Sequence, residues 1–230
     1  MAIASSFVKK IPESIYTYKR EFPVIFKQLS LAASERGLIP FLTEFGAFQE
    51  SEQVREYLNL QYNQIEKLLL NSTIWNYDLY NTEEGKDNWN FENYSLLEPN
   101  RKPRNIDVVA RPYPMRSSAK PFGIFFDIES KYASIILNGK VISSEPTVVY
   151  IPFEIHYSPE FTVWSTSSNE EMKWDKDNQL LYWYPSRNYN YNQLIIAKGN
   201  ISKLDTTVLP RQSKELINNT AFTITTASFN

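Results

Sequence analysis

The stretch Ile39-Pro40-Phe41-Leu42-Thr43-Glu44-Phe45-Gly46 decides how this chain is read. It is a short apolar run that ends in a carboxylate and then a glycine. A parallel α/β barrel presents catalytic acids in this way, at the C-terminal tips of buried strands. The flanks fit an α/β unit. Upstream, the pattern predicts a helix over residues 23–36, with Pro23 in its first turn, Val24, Ile25, Leu29, Ala32 and Ala33 near helical spacing, and Gly37 as a stop. Downstream, Ser51 is an N-cap for an amphipathic helix along Val54, Leu58, Tyr62, Ile65 and Leu69. The following run, Thr73–Tyr80, is rich in aromatic and β-branched residues and reads as a strand. Helix, strand, helix, strand implies two parallel strands joined by a crossover helix.

Asn81 to Asn100 is polar and long for a connection, and such loops are often functional. A short helix is expected from Ile106 to Ala110, ending before Pro112, with Arg111–Pro114 as an extended linker. From about Lys120 the character changes. Apolar runs recur at Gly123–Ile128, Ser134–Leu137, Val148–Ile151, Phe161–Ser165, Leu180–Tyr184, Leu194–Ala197 and Ala221–Thr226. Turn signals separate them: Asn138-Gly139, which marks a hairpin, Asp175–Asn178 and Lys198-Gly199. This spacing points to an antiparallel β-sandwich. The chain is therefore α/β plus all-β, with residues 1–118 and 119–230 as its two domains. A closed (β/α)8 TIM barrel needs roughly 250 residues and eight strands. Residues 1–118 hold too few elements for one and read as the last strands and helices of a larger barrel.

Composition excludes several function classes. A net charge of −2 and no basic run argue against nucleic acid as a partner. The absence of cysteine removes disulfides and thiolate metal sites, and the single histidine, His156, removes any multi-histidine metal site. No apolar run is long enough to span a membrane. Met1–Lys10 carries Lys9 and Lys10 after its small apolar stretch, the reverse of signal-peptide order, so no targeting segment is expected there. Sequons stand at Asn71, Asn93, Asn200 and Asn218, weak support for secretion in an Asn-rich sequence. Asp175, Asp177 and Asn178 lack the twelve-residue ligand pattern of a calcium loop and read as a polar turn. His156 lies far from Glu44 in sequence and is expected to pack rather than catalyse.

Pro40–Gly46, an amphipathic helix, and then Ile74-Trp75-Asn76-Tyr77 resemble the seventh and eighth barrel strands of family 5 glycoside hydrolases. Gly85-Lys86-Asp87-Asn88-Trp89-Asn90-Phe91-Glu92-Asn93-Tyr94-Ser95 is similar to the Gly-Asp-x-Trp-Asn-x-Glu-Asp-x-Ser loop of the endoglycoceramidase-like branch. Arg111-Pro112-Tyr113-Pro114 resembles that branch's junction before its C-terminal β-sandwich. The resemblance implies that Glu44 is the nucleophile of a retaining endo-β-glycosidase, whose acid/base partner stands about 5 Å away. It implies that Trp75 stacks on a sugar ring; strand alternation puts Tyr77 on the same side of the expected strand as Trp75. It places Trp89, Asn90 and Glu92 in a loop over the active face, either in contact with substrate or anchoring the loop. It implies no cofactor and no metal; the partners are a glycolipid or oligosaccharide substrate and the missing N-terminal barrel portion.

Two departures qualify the match. Lys86 is inserted between Gly85 and Asp87, so Asp87 takes no assigned role. The family's acid/base glutamate lies in an Asn-Glu-Pro motif upstream of the nucleophile. Here Glu13, Glu21 and Glu35 are the glutamates before Glu44, all in or beside helical segments, and Leu97-Glu98-Pro99-Asn100 lies downstream. The chain is thus expected to carry one member of the catalytic pair and to be inactive alone. The alternative is a non-catalytic β-sandwich that binds carbohydrate or lipid surfaces through Trp174, Tyr182, Trp183, Tyr184, Tyr189 and Tyr191.

Overall fold

The computed structural model describes residues 15–48, 51–86, 92–165, 172–187, 189–200, 204–219 and 225–230. The chain divides into two units between Val109 and Ala110. In the first unit, helix α1 (Ile15–Ser34) leads to strand β1 (Phe41–Phe45), helix α2 (Glu52–Leu68), strand β2 (Asn71–Ile74) and the short helix α3 (Ile106–Val109). β1 and β2 are parallel, with Phe41 opposite Asn71 and Phe45 opposite Ile74.

The local chemistry explains these elements. Ser51 caps α2, its hydroxyl accepting from the Val54 amide at 3.2 Å. Gly37 takes a φ of +64° after α1, and the Leu38 amide closes back on the Ala33 carbonyl at 2.9 Å. α1 begins at Ile15, well before the expected start at Pro23, which sits inside the helix. Tyr18, Phe22 and Tyr57 account for this, because their rings meet at 4.8–5.2 Å and bind α1 to α2. That aromatic contact offsets the amide lost at Pro23. Phe45 of β1 packs edge-on against Tyr62 of α2 at 5.0 Å.

The second unit contains two antiparallel sheets. The four-stranded sheet runs β3 (Tyr113–Arg116), β6 (Thr147–Tyr150), β9 (Leu180–Trp183), β8 (Met172–Asp175). The five-stranded sheet runs β11 (Thr225–Phe229), β7 (Phe161–Ser165), β10 (Tyr191–Lys198), β5 (Ala133–Asn138), β4 (Lys120–Phe126). Alternate residues of both sheets, among them Ile135, Val149, Phe161, Leu181, Trp183 and Leu194, share one buried cluster. The other face of the five-stranded sheet is covered too. Helix α4 (Arg211–Asn219) and the turn before it cluster with Tyr132, Trp164 and Ile195. This two-sided burial explains why these strands read as unbroken apolar runs.

Three expectations are corrected. Tyr113–Arg116 is a strand paired with β6 rather than a linker, so the units part upstream of residue 118. Its proline is tolerated because β3 is an edge strand. The strand expected over Thr73–Tyr80 ends at Ile74. Asn138-Gly139 turns the chain, with Gly139 at φ +87°, but joins no hairpin: β5 pairs with β4 and β10 while β6 lies in the other sheet.

Candidate functional site

Glu44 stands exposed near the end of β1, between an exposed Thr43 and a buried Phe45. The chain then turns at Gly46, where close approach excludes a side chain. A Cβ there would lie 2.2 Å from the Trp75 carbonyl oxygen. The Trp75 amide donates to the Phe45 carbonyl at 2.7 Å, extending the β1–β2 pairing by one bond beyond β2. Trp75 is thereby fixed beside the tip that carries Glu44. Its indole is half-buried, and the peptide bond to Asn76 is cis.

A third segment lies against Trp75-Asn76. The Asn76 amide donates to the Tyr94 carbonyl at 3.4 Å, and the Leu96 amide donates back to the Asn76 carbonyl at 2.9 Å. Tyr94 meets Phe48 edge-on at 6.0 Å. The Ser95 hydroxyl accepts from the Leu97 amide at 3.0 Å and lies 3.3 Å from the Asp78 amide. The Asn81 side-chain amide donates to the Leu97 carbonyl at 2.5 Å. Thr82 and Lys86 close a small turn through two backbone bonds of 3.0 and 2.9 Å, with Lys86 at a positive φ. The inserted lysine therefore closes a turn.

The expected site residues fall into three groups. Glu44 and Trp75 are brought together through the main chain. Glu92 is half-buried and directly precedes the 93–96 segment that abuts Asn76. Tyr77 is 65% exposed and lies beyond the end of β2, so strand alternation does not relate it to Trp75. Asp87, Trp89 and Asn90 lie outside the described residues, as does Met1–Lys10. Glu21 sits on α1 and Glu35 directly after it, neither at a strand tip. Glu98 opens a tight turn closed by the Lys102 carbonyl at 2.9 Å.

Elsewhere, His156 is buried, with Nε2 2.8 Å from the Ala110 carbonyl and its ring 5.1 Å from Phe126. Trp183 is in the core and Trp174 packs on Phe153 and Phe161 at 5.8 and 5.0 Å. Tyr182, Tyr189 and Tyr191 are half-buried, leaving Tyr184 the exposed member of the aromatic set. Asn93 is buried against Arg104, whereas Asn71 and Asn200 are exposed; the side chain of Asn218 lies outside the described residues. Among the described residues no group of three His, Cys, Asp or Glu side chains is placed to hold a metal ion, and no helix is long and apolar enough to cross a membrane. Asn76, Tyr94 and Ser95 stand in the motifs that carry the resemblance without a role assigned there, and Arg104, in a polar stretch, carries no periodic signal.

No protein-family model matches the chain. A glucosylceramidase from Rhizopus delemar is 24% identical over 140 residues. Two solved structures share the fold at lower identity. Sterylglucosidase 1 of Cryptococcus neoformans matches 76% of this chain with a TM-score of 0.63 and 19% identity. Endo-glycoceramidase II from Rhodococcus sp., in its lactosyl-enzyme intermediate, matches 79% with a TM-score of 0.61 and 14% identity. By these likenesses the chain resembles the endoglycoceramidase-like glycoside hydrolases of family 5. The relation covers part of those proteins: this chain spans 20% of the glucosylceramidase, 32% of the sterylglucosidase and 39% of the endo-glycoceramidase.

Proposed function

We propose that this chain is the C-terminal part of a retaining β-glycosidase that hydrolyses glycolipids, with Glu44 as nucleophile. The observation that carries the reading is an exposed carboxylate at the tip of a parallel strand, locked beside Trp75 by the approach of Gly46. In this reading β1 and β2 are the last two strands of a TIM barrel and the two antiparallel sheets are the C-terminal β-sandwich. A Glu44 oxygen attacks the anomeric carbon and the bond to the leaving oxygen breaks, its electron pair taking a proton from a second carboxylic acid. Water, deprotonated by that second group, then releases the sugar from Glu44. Trp75 offers a flat face to the sugar ring, and Tyr77, Trp89, Asn90 and Glu92 border the substrate. The acid/base group comes from barrel strands that these 230 residues do not include. The likeness to a glucosylceramidase, a sterylglucosidase and an endo-glycoceramidase supports a sugar–lipid substrate class.

Two assays test this. The chain alone should not turn over fluorescent glucosylceramide. A chimera joining it behind the N-terminal portion of the Rhizopus delemar glucosylceramidase should turn it over, and Glu44→Gln should abolish that activity. Turnover by the isolated chain that depends on Glu44 would refute an external acid/base. Chimera activity that survives Glu44→Gln would refute the nucleophile.

A further inference from the structure

Arg104 is almost fully buried, at 5% exposure, in a polar stretch that joins no regular element. Its Nη1 donates to the Asn93 side-chain oxygen at 2.7 Å and lies 3.4 Å from the Ser95 carbonyl. Its own amide donates to the Leu96 carbonyl at 2.8 Å. Arg104 therefore binds residues 93, 95 and 96. The same short segment uses the Tyr94 carbonyl and the Leu96 amide to hold both sides of Asn76. A buried guanidinium is expensive, and an apolar side chain would fill the same space at lower desolvation cost. What the arginine adds is a rigid fork that fixes acceptors in space.

We propose that Arg104 is a positioning residue: through Asn93–Leu96 it fixes Asn76, and so sets the orientation of the Trp75 indole beside Glu44. This rests on the reading of Trp75 as the sugar platform, and it identifies how that platform is held. An irregular segment has no ladder of its own to resist displacement. Arg104 supplies that resistance through its bonds to Asn93, Ser95 and Leu96.

The test uses the full chain labelled with 5-fluorotryptophan, the Trp75 resonance being assigned by Trp75→Phe. Arg104→Met should shift and broaden the Trp75 line while the Trp164, Trp174 and Trp183 lines stay in place. Arg104→Lys, which keeps one charged donor, should restore part of the wild-type line. Asn93→Ala removes only the 2.7 Å bond and should move the Trp75 line in the same direction, which keeps the test valid if Arg104→Met fails to fold. An unchanged Trp75 line in either folded variant overturns the proposal. Titrating cellobiose into the wild-type chain separates the two readings. A Trp75 line that depends on Arg104 but ignores the sugar leaves the positioning role intact and removes support for the platform.

Discussion

The carbonyl oxygen of Trp75 occupies the space that a side chain on Gly46 would need, 2.2 Å from the position of its Cβ. This single approach joins the strand tip that carries Glu44 to the backbone of Trp75. The obstacle is backbone, which cannot swing aside as a flexible side chain can. Gly46→Ala must push the Phe45–Trp75 bond apart, so a loss of about 1–3 kcal/mol is expected, the range typical of overpacking. Urea unfolding of the variant against wild type measures it. An unchanged midpoint would show that the two backbones part freely.

In the first unit, Arg55 of α2 and Asp107 of α3 form a bidentate ion pair. Both side chains are about one-third exposed, at 37% and 33%, so solvent screens much of the attraction. A double-mutant cycle with Arg55→Ala and Asp107→Ala should return a coupling of about 0.3–1 kcal/mol that shrinks as salt is added. A coupling of zero at low salt would mean that the Arg55–Asp107 pair contributes nothing to holding α3.

Much of this was legible in the sequence wherever the determinant is local. Ser51 and Gly37 mark helix ends through their own backbone chemistry, and both act as expected. The Asp175–Asn178 turn does link two strands, β8 and β9. What escaped notice depends on partners distant in sequence. Tyr113–Arg116 carries a proline and looks like a linker until β6 is beside it. Asn138-Gly139 has hairpin chemistry, yet the next strand belongs to the other sheet. α4 is polar overall and shows its purpose only where Ser213 meets Ser134 at 2.9 Å over the five-stranded sheet. At the candidate site, Glu44 and Trp75 could be found because a strand tip and a tryptophan are visible in sequence. Arg104 could not, because its partners Asn93 and Ser95 form no pattern with it.

The turn at Asp175 carries a pH signature. The side-chain amide of Asn178 at 2.9 Å, and then its backbone amide at 3.1 Å, both donate to the carboxylate and hold its pKa below the usual aspartate value. A depressed folded-state pKa stabilises the turn above the ordinary value, about 3.9, and that contribution is lost as pH falls through the lower folded value. A carboxyl NMR titration should place Asp175 below the ordinary aspartate value, and Asn178→Ala should raise it. Asp205, depressed by Thr207, should not move in that variant. A common shift of both would indicate a global effect rather than this turn.

A buried hydrogen bond links the two sheets of the second unit, from the Trp183 indole Nε1 on β9 to the Ser165 hydroxyl on β7 at 3.0 Å. Trp183 is wholly buried, so Ser165→Ala leaves its N–H without that acceptor in an apolar core. The expected loss is about 1–3 kcal/mol. Trp183→Phe removes the donor but also volume, and should be destabilising through imperfect packing. The two changes should not add. Once the indole is gone, Ser165→Ala no longer orphans a donor, so its cost in the Trp183→Phe background should fall. Chemical unfolding of the four proteins in the cycle reads this directly. Strictly additive losses would mean that the Trp183–Ser165 hydrogen bond contributes nothing to stability.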